Sequence, residues 1–189
     1  MKNLILFGPP GAGKGTQASL LAGHYELIHI STGDIFREEI KTQTELGLRI
    51  KSIIDKGELV PDAILIEIIQ GVFEKHRNSK GILLDGFPRT VAQAEALDQL
   101  MLSEHSEITK VLSLKVDDEE LIARLLKRAE LLGRTDDSED VIRNRLKVYN
   151  LQTLPLEDYY IEKQKYVSLM GVGSVEEIFA SLCNIIDKL

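Results

Sequence analysis

The stretch KNLILFGPPGAGKGT, Lys2–Thr16, decides the fold. Asn3–Phe7 is a short apolar run, far below the length of a membrane span, and it reads as a buried first strand. Gly8, Gly13 and Lys14 then fit G-x-x-x-x-G-K between a strand and a helix, the context in which such a loop wraps a phosphate. Glycines at 8, 11, 13 and 15 let the backbone come close to an anion, so that N–H groups and the helix N-terminus face it. Lys14 adds a mobile positive charge. The residue after it is Gly15, where the general motif has Ser or Thr, and the hydroxyl comes one position later at Thr16.

Outward from this loop, further short apolar runs stand at Leu27–Ile30, Gly81–Leu84, Val111–Val116 and Tyr166–Met170. Amphipathic stretches of helix length separate them: Thr16–His24, Asp34–Lys41, Leu46–Lys56, Asp62–His76, Thr90–Leu102, Asp118–Leu131, Ser138–Tyr160 and Val175–Leu189. Strands alternating with helices predict an α/β fold, a five-stranded parallel sheet flanked by helices. Pro61 suits a first helical turn, Asp117 or Asp118 a cap, and Ser174 with Glu177 a capping box. In such sheets ligands sit at the carboxyl ends of the strands. That gives most weight to Gly8–Thr16, Ser31–Asp34, Asp85–Arg89, Asp117 and Gly171–Ser174.

At 189 residues the chain suits one well-buried domain. Thirty acidic against 23 basic residues give a net charge of −7, which argues against nucleic acid or an anionic membrane as the main partner. Any anion site must therefore be made locally. Cys183 is the single cysteine, which suits a reducing cytoplasm, and no Cys or His spacing matches a structural zinc site.

Asp85 closes the run GILLD, where a carboxylate can order magnesium directly or through water, although an Asp after a strand also serves as a turn or helix cap. Arg124, Arg128, Arg134, Arg143 and Arg145 are five of the nine arginines. Arg124 and Arg128 share a helical face, which favours an anion between them, although a local pair such as Glu120 with Arg124 is the ordinary alternative. Arg37 and Arg89 follow strand ends, where a guanidinium suits a phosphate. The four histidines share no ligand spacing and receive no chemistry. No general base stands out either. A phosphate monoester needs none, because with a second pKa near ~6 it is already an anionic nucleophile at neutral pH.

GPPGAGKGTQ, STGDIFR, KGELVPD, DGFPRTVAQ, GRTDD and the late Gly173-Ser174 resemble, in order and nearly end to end, the adenylate kinase family. The resemblance implies a phosphate-loop kinase fold and reversible, magnesium-dependent transfer from ATP to AMP giving two ADP. It implies that Gly11, Ala12, Gly13, Lys14, Gly15 and Thr16 hold the ATP phosphates, with Arg128 on ATP, Arg124 near its base and the backbone of Gly173 contacting that base. It places AMP against Thr32, Arg37, Glu58, Leu59, Val60, Gly86, Phe87, Pro88, Arg89 and Gln93. Lys14, Arg89, Arg124, Arg128, Arg134 and Arg145 are its catalytic cations, Arg134 and Arg145 reaching the transfer point, and Asp85 orders magnesium through water. It also implies a mobile segment at 31–60 and a lid at 127–137, with Asp136 and Asp137 pairing with lid-side arginines. The lid is too short for the zinc-binding form. A cytoplasmic monomer is expected. The short lid is shared with uridylate/cytidylate kinases, from which Thr32 and Gln93 separate it, since an amide can both donate and accept toward adenine. A guanine-reading N-K-x-D motif, as a GTPase switch would carry, is not found.

Overall fold

The computed structural model describes residues 2–134 and 137–189. Strands β1 (Leu4–Phe7), β2 (Ile28–Ser31), β3 (Ile82–Asp85), β4 (Lys110–Lys115) and β5 (Tyr166–Met170) form one parallel sheet in the order β2-β3-β1-β4-β5. The expected parallel α/β sheet is therefore present. Helices α1 (Lys14–Tyr25), α2 (Thr32–Lys41), α3 (Glu45–Ile54), α4 (Asp62–Lys75), α5 (Val91–Ser103), α6 (Asp118–Leu132), α7 (Glu139–Val148), α8 (Leu156–Glu162) and α9 (Val175–Ile186) connect and cover it.

The continuous apolar run of β1 has a simple cause. Ile5 and Phe7 face a core shared with α4 and α5, through Ile69, Phe73, Leu97 and Met101, while Leu4 and Leu6 face a second core with α1, α6 and α9, through Leu21, Leu125 and Leu182. Both faces of the strand are dry, so neither can be polar. After β1 the chain moves to the β2 side, and after β3 it crosses β1 to reach β4. The loops leaving β1 and β3 thus diverge, which opens a crevice at their carboxyl ends.

One long helix expected at Ser138–Tyr160 is instead α7, a π-helical turn at Tyr149–Thr153, and α8. Pro155 lacks an N–H and cannot continue an α-helical ladder. The amide of Leu154 reaches back five residues to the Tyr149 carbonyl at 2.8 Å. The widened turn directs Tyr149 and Thr153 inward, where both are buried. Pro61 occupies the N-cap of α4 and not its first turn. Asp117 is the N-cap of α6 without a side-chain bond, while Ser174 and Glu177 form the full capping box on α9.

Helices α2 and α3 cross closely because Gly47 has no side chain. A Cβ there would land on the Glu39 carbonyl and 2.7 Å from the Ile40 amide nitrogen. Gly47→Ala is therefore expected to destabilise the protein by about 1–3 kcal/mol. Gly71, exposed within α4 with nothing within 4 Å of an added Cβ, is the contrast: Gly71→Ala should stabilise by roughly 0.5–1 kcal/mol. Urea unfolding of the two variants beside the parent checks both signs.

Candidate functional site

The β1–α1 loop is shaped by close neighbours. A Cβ on Gly8 would stand 2.7 Å from the Leu114 carbonyl oxygen of β4, so the loop turns directly against the sheet. Gly13 is the N-cap of α1 at φ 87°, a left-handed conformation costly for residues with a Cβ. Lys14, half-buried, donates from Nζ to the carbonyls of Gly8 at 2.7 Å and Pro9 at 2.8 Å, so its side chain curls over the loop. Burial lowers its pKa to about 8; Asp85 opposes that shift, and Arg89, Arg145 and Arg128 add to it.

The distal arginines meet on one carboxylate. Arg128 donates from Nε and Nη2 to the two oxygens of Asp137 at 2.7 and 2.8 Å, and Arg145 donates from Nη1 to Oδ1 at 2.7 Å. Arg134 Nε lies 3.5 Å from Oδ2. Asp137 is buried and resolves the like-charge crowding expected of this cluster. Asp136, expected to share that role, lies outside the described residues. Arg124 takes the local pairing, donating to Glu120 at 2.7 Å and to the Gly171 carbonyl at 3.0 Å. Arg143 pairs with Glu139 on the exposed face of α7, away from this group.

A cavity lies between the sheet and the α2–α3 pair. Lys14, Thr32, Arg37, the 58–60 stretch, the 86–89 turn and Arg145 line it, together with Phe36 and Tyr149. Thr32 Oγ1 donates to the Gly86 carbonyl at 2.9 Å, and Arg89 Nε donates to the same oxygen at 2.7 Å. Arg37 pairs with Asp34 one helical turn away. Burial lowers the basicity of Arg89, with Asp85 opposing and Arg37 adding to the effect. Gln93 is fully buried and is not among the cavity-lining residues: its amide is held by the Arg89 backbone N–H at 2.7 Å and by Asp62 at 2.6 Å.

The residues expected to serve the second nucleotide lie on the other flank. The β5–α9 loop packs against the glycine loop, with Gly171 beside Ala12, and the helices that follow are tied by Gln17 Nε2 of α1 donating to the Val175 carbonyl of α9 at 2.9 Å. Gly173 is exposed on that loop and Arg124 is anchored to its start. Gly11 to Thr16 stand between this flank and the cavity.

Asp85 is a carboxylate beside the glycine loop that could help to hold a magnesium ion. Among the described residues no three His, Cys, Asp or Glu side chains gather to bind a metal. Asp85 ends β3 with Oδ2 3.6 Å from where a Cβ on Gly15 would stand, so the carboxylate faces the slot that a Ser or Thr of the general motif would fill. That slot suits a water ordered by Asp85.

Two residues given no role from sequence stand close to this centre. His29 Nε2 is 3.9 Å from Asp85 Oδ2, buried and without a hydrogen-bond partner. Asp62 holds Gln93. The alternation of β2 and the pairing of Ser31 with Asp85 place His29 on the Asp85 side of the sheet edge, but only the strand register reveals it.

Fold and site together define an α/β protein built to receive phosphates at the switch point of its sheet. Within that class the chain belongs to the adenylate kinase family, whose model, described as Adenylate kinase, matches residues 6–165. The chain is 47% identical over 189 residues to an adenylate kinase of Bacteroides thetaiotaomicron, and 50% identical over 190 residues to one of Flavobacterium psychrophilum; both alignments span all of both chains. An adenylate kinase of Maricaulis maris is 47% identical over 186 residues, covering 98% of this chain and 99% of the relative.

The lowered pKa of Lys14 carries a pH dependence. A polyphosphate favours the charged ammonium, so binding takes up a proton wherever the lysine alone is partly neutral. ATP affinity should therefore weaken about tenfold between pH 7 and pH 9. Calorimetry at pH 8 in two buffers of different ionisation enthalpy should show net proton uptake; affinity constant across this range would contradict the shift. The same group disfavours folding below about pH 8, and that penalty fades as the pH rises toward the ordinary lysine value of 10.5.

Proposed function

We propose that this chain is an adenylate kinase acting on ATP and AMP: it transfers the terminal phosphoryl group of ATP to AMP, reversibly, giving two ADP. One observation carries the reading. The cavity formed by Thr32, Arg37 and the 86–89 turn runs without interruption to Lys14 and Arg145, so an acceptor phosphate seated in it lies beside the loop that wraps the donor's phosphates.

In this reading Arg37 and Arg89 hold the phosphate of AMP, and Thr32 with the 58–60 backbone encloses its nucleoside. Gly11–Thr16 wrap the phosphates of ATP, while Gly173 and Arg124 flank its base. The acceptor oxygen is already anionic at neutral pH, with a second pKa near ~6, so no side chain has to remove a proton. The protein's task is alignment and charge neutralisation. Lys14, Arg89, Arg128, Arg134 and Arg145 surround the position of the migrating group, and their converging charge favours the spread negative charge of phosphoryl transfer. Magnesium, when bound with the nucleotides, would supply further charge neutralisation, and Asp85 and Thr16 are the residues that would hold it through water. The segments 31–60 and 127–137 close over the substrates and exclude water, which would otherwise accept the phosphoryl group. The reading extends to a cytoplasmic monomer whose partners are the three nucleotides; the charge of −7 supports these over nucleic acid.

A coupled assay with Mg-ATP and four acceptors tests the reaction. AMP should be phosphorylated much faster than CMP, UMP or GMP; preference for a pyrimidine would move the chain to the uridylate/cytidylate specificity, and acceptor-independent ATP hydrolysis would end the kinase reading. Arg89→Ala and Arg134→Ala should each lower kcat by about 10²–10³, with the folded structure retained by circular dichroism. An unchanged rate would remove that arginine from the mechanism.

A further inference from the structure

Gln93 is completely buried at the first turn of α5, and both ends of its amide are held. Nε2 donates to Asp62 Oδ1 at 2.6 Å, and Oε1 accepts the backbone N–H of Arg89 at 2.7 Å. Asp62 is itself steadied by Thr90, whose Oγ1 donates to Oδ2 at 3.4 Å and accepts the N–H of Gln93 at 3.2 Å. A carboxylate only accepts and a backbone N–H only donates. The amide can therefore sit one way round: turned over, it would set its oxygen against the carboxylate and its amino group against an N–H.

That lock has a chemical consequence. A primary amide has two N–H donors and two acceptor lone pairs, and the two contacts leave one of each. Adenine offers an amino donor beside a ring-nitrogen acceptor. A 6-oxopurine offers the swapped pattern, a carbonyl acceptor beside a ring N–H donor. An amide free to turn serves both bases equally; a locked one serves only the base whose pattern matches it. Gln93 stands behind the 86–89 turn that lines the cavity. The Arg89 guanidinium is folded over this wall, its Nη2 3.1 Å from where a Cβ on Gly86 would stand; on binding it is taken to turn from the wall to the acceptor phosphate, so that the free edge of the buried amide meets the base.

We propose that Asp62 is a positioning residue for acceptor selection: by fixing the Gln93 amide in one orientation it makes the site accept 6-aminopurine and reject 6-oxopurine monophosphates. The proposal rests on the reading of this cavity as the AMP site. Its test is steady-state kinetics with AMP and with IMP, which differ only in that edge, for the parent, Asp62→Ala, Asp62→Ser and Asp62→Asn. Asp62→Ala and Asp62→Ser should lower the AMP-over-IMP ratio of kcat/KM by about tenfold, through a higher KM for AMP and a lower KM for IMP, with the KM for ATP unchanged. Asp62→Asn keeps an acceptor oxygen in place and should retain most of the ratio, which a purely electrostatic role at the start of α4 would not allow. Should the alanine variant fail to fold, the serine variant decides, since serine is tolerated at helix N-termini. A fall in kcat that is equal for both acceptors, with the ratio intact, would show that Asp62 only steadies Arg89 and would overturn the proposal. A parent enzyme without preference for AMP over IMP would overturn the reading of the cavity itself, whatever the variants do.

Discussion

Converging positive charge governs this structure. Lys14, Arg89, Arg128, Arg134 and Arg145 approach one another at the carboxyl end of a parallel sheet in a chain whose net charge is −7. Such a group is stable only if each member has an acceptor, because an unpaired buried charge costs several kcal/mol. The chain meets the requirement in two ways. Lys14 and Arg89 lie on backbone carbonyls of their own loops, with Asp85 nearby. Arg128, Arg134 and Arg145 share Asp137, whose side chain is fully enclosed.

The sheet makes this gathering possible. Leu6 of β1 pairs with Asp85 of β3, and Phe7 pairs with Ser113 of β4, so the glycine loop leaves the sheet beside the Asp85 carboxylate and under the strand that leads into α6. Helix α6 then brings Arg124 and Arg128 back over the loop, packed through Leu121 and Leu125. Helix α7 brings Arg145 from the opposite flank, and the π-helical turn behind it seats Tyr149 in the cavity wall. The cations belong to distant parts of the sequence, and the crossover rules of a parallel sheet place them together.

What could be read from sequence follows from how local each signal is. The strand–glycine loop–helix unit, the carboxylate that ends β3 and the capping box at Ser174 are each written within a few residues, and all three stand where the residues imply. The break at Pro155 was equally local, yet the amphipathic pattern on either side of it continues in phase and hides it. The pairing of Asp137 with lid-side arginines follows from the family resemblance and stands in the structure, whereas the partners of Gln93 and His29 are not legible in this way. Asp62 and Gln93 are 31 positions apart, and His29 meets Asp85 only through the β2–β3 register. A charged residue near a helix start reads as a cap, and only the packing of α4 against α5 reveals that Asp62 holds a side chain instead.

The two kinds of acceptor also set an order on phosphate binding. A carbonyl offers a cation only a dipole, whereas a carboxylate or phosphate offers a full opposite charge and so the stronger attraction. In the proposed reaction a phosphate entering the crevice would therefore take Lys14 and Arg89 readily from their carbonyls, and the charge on Lys14 would rise as it does so. The arginines on Asp137 have less to gain by leaving it. A guanidinium carries five N–H donors, however, so an arginine that spends two on a carboxylate can still present others to an incoming anion. Asp137 fixes the angle between Arg128 and Arg145, and in the proposed reaction it would remain in place while both serve the phosphoryl group. Preorganisation of this kind is what electrostatic catalysis requires, since donors already oriented need no reorganisation when the charge develops.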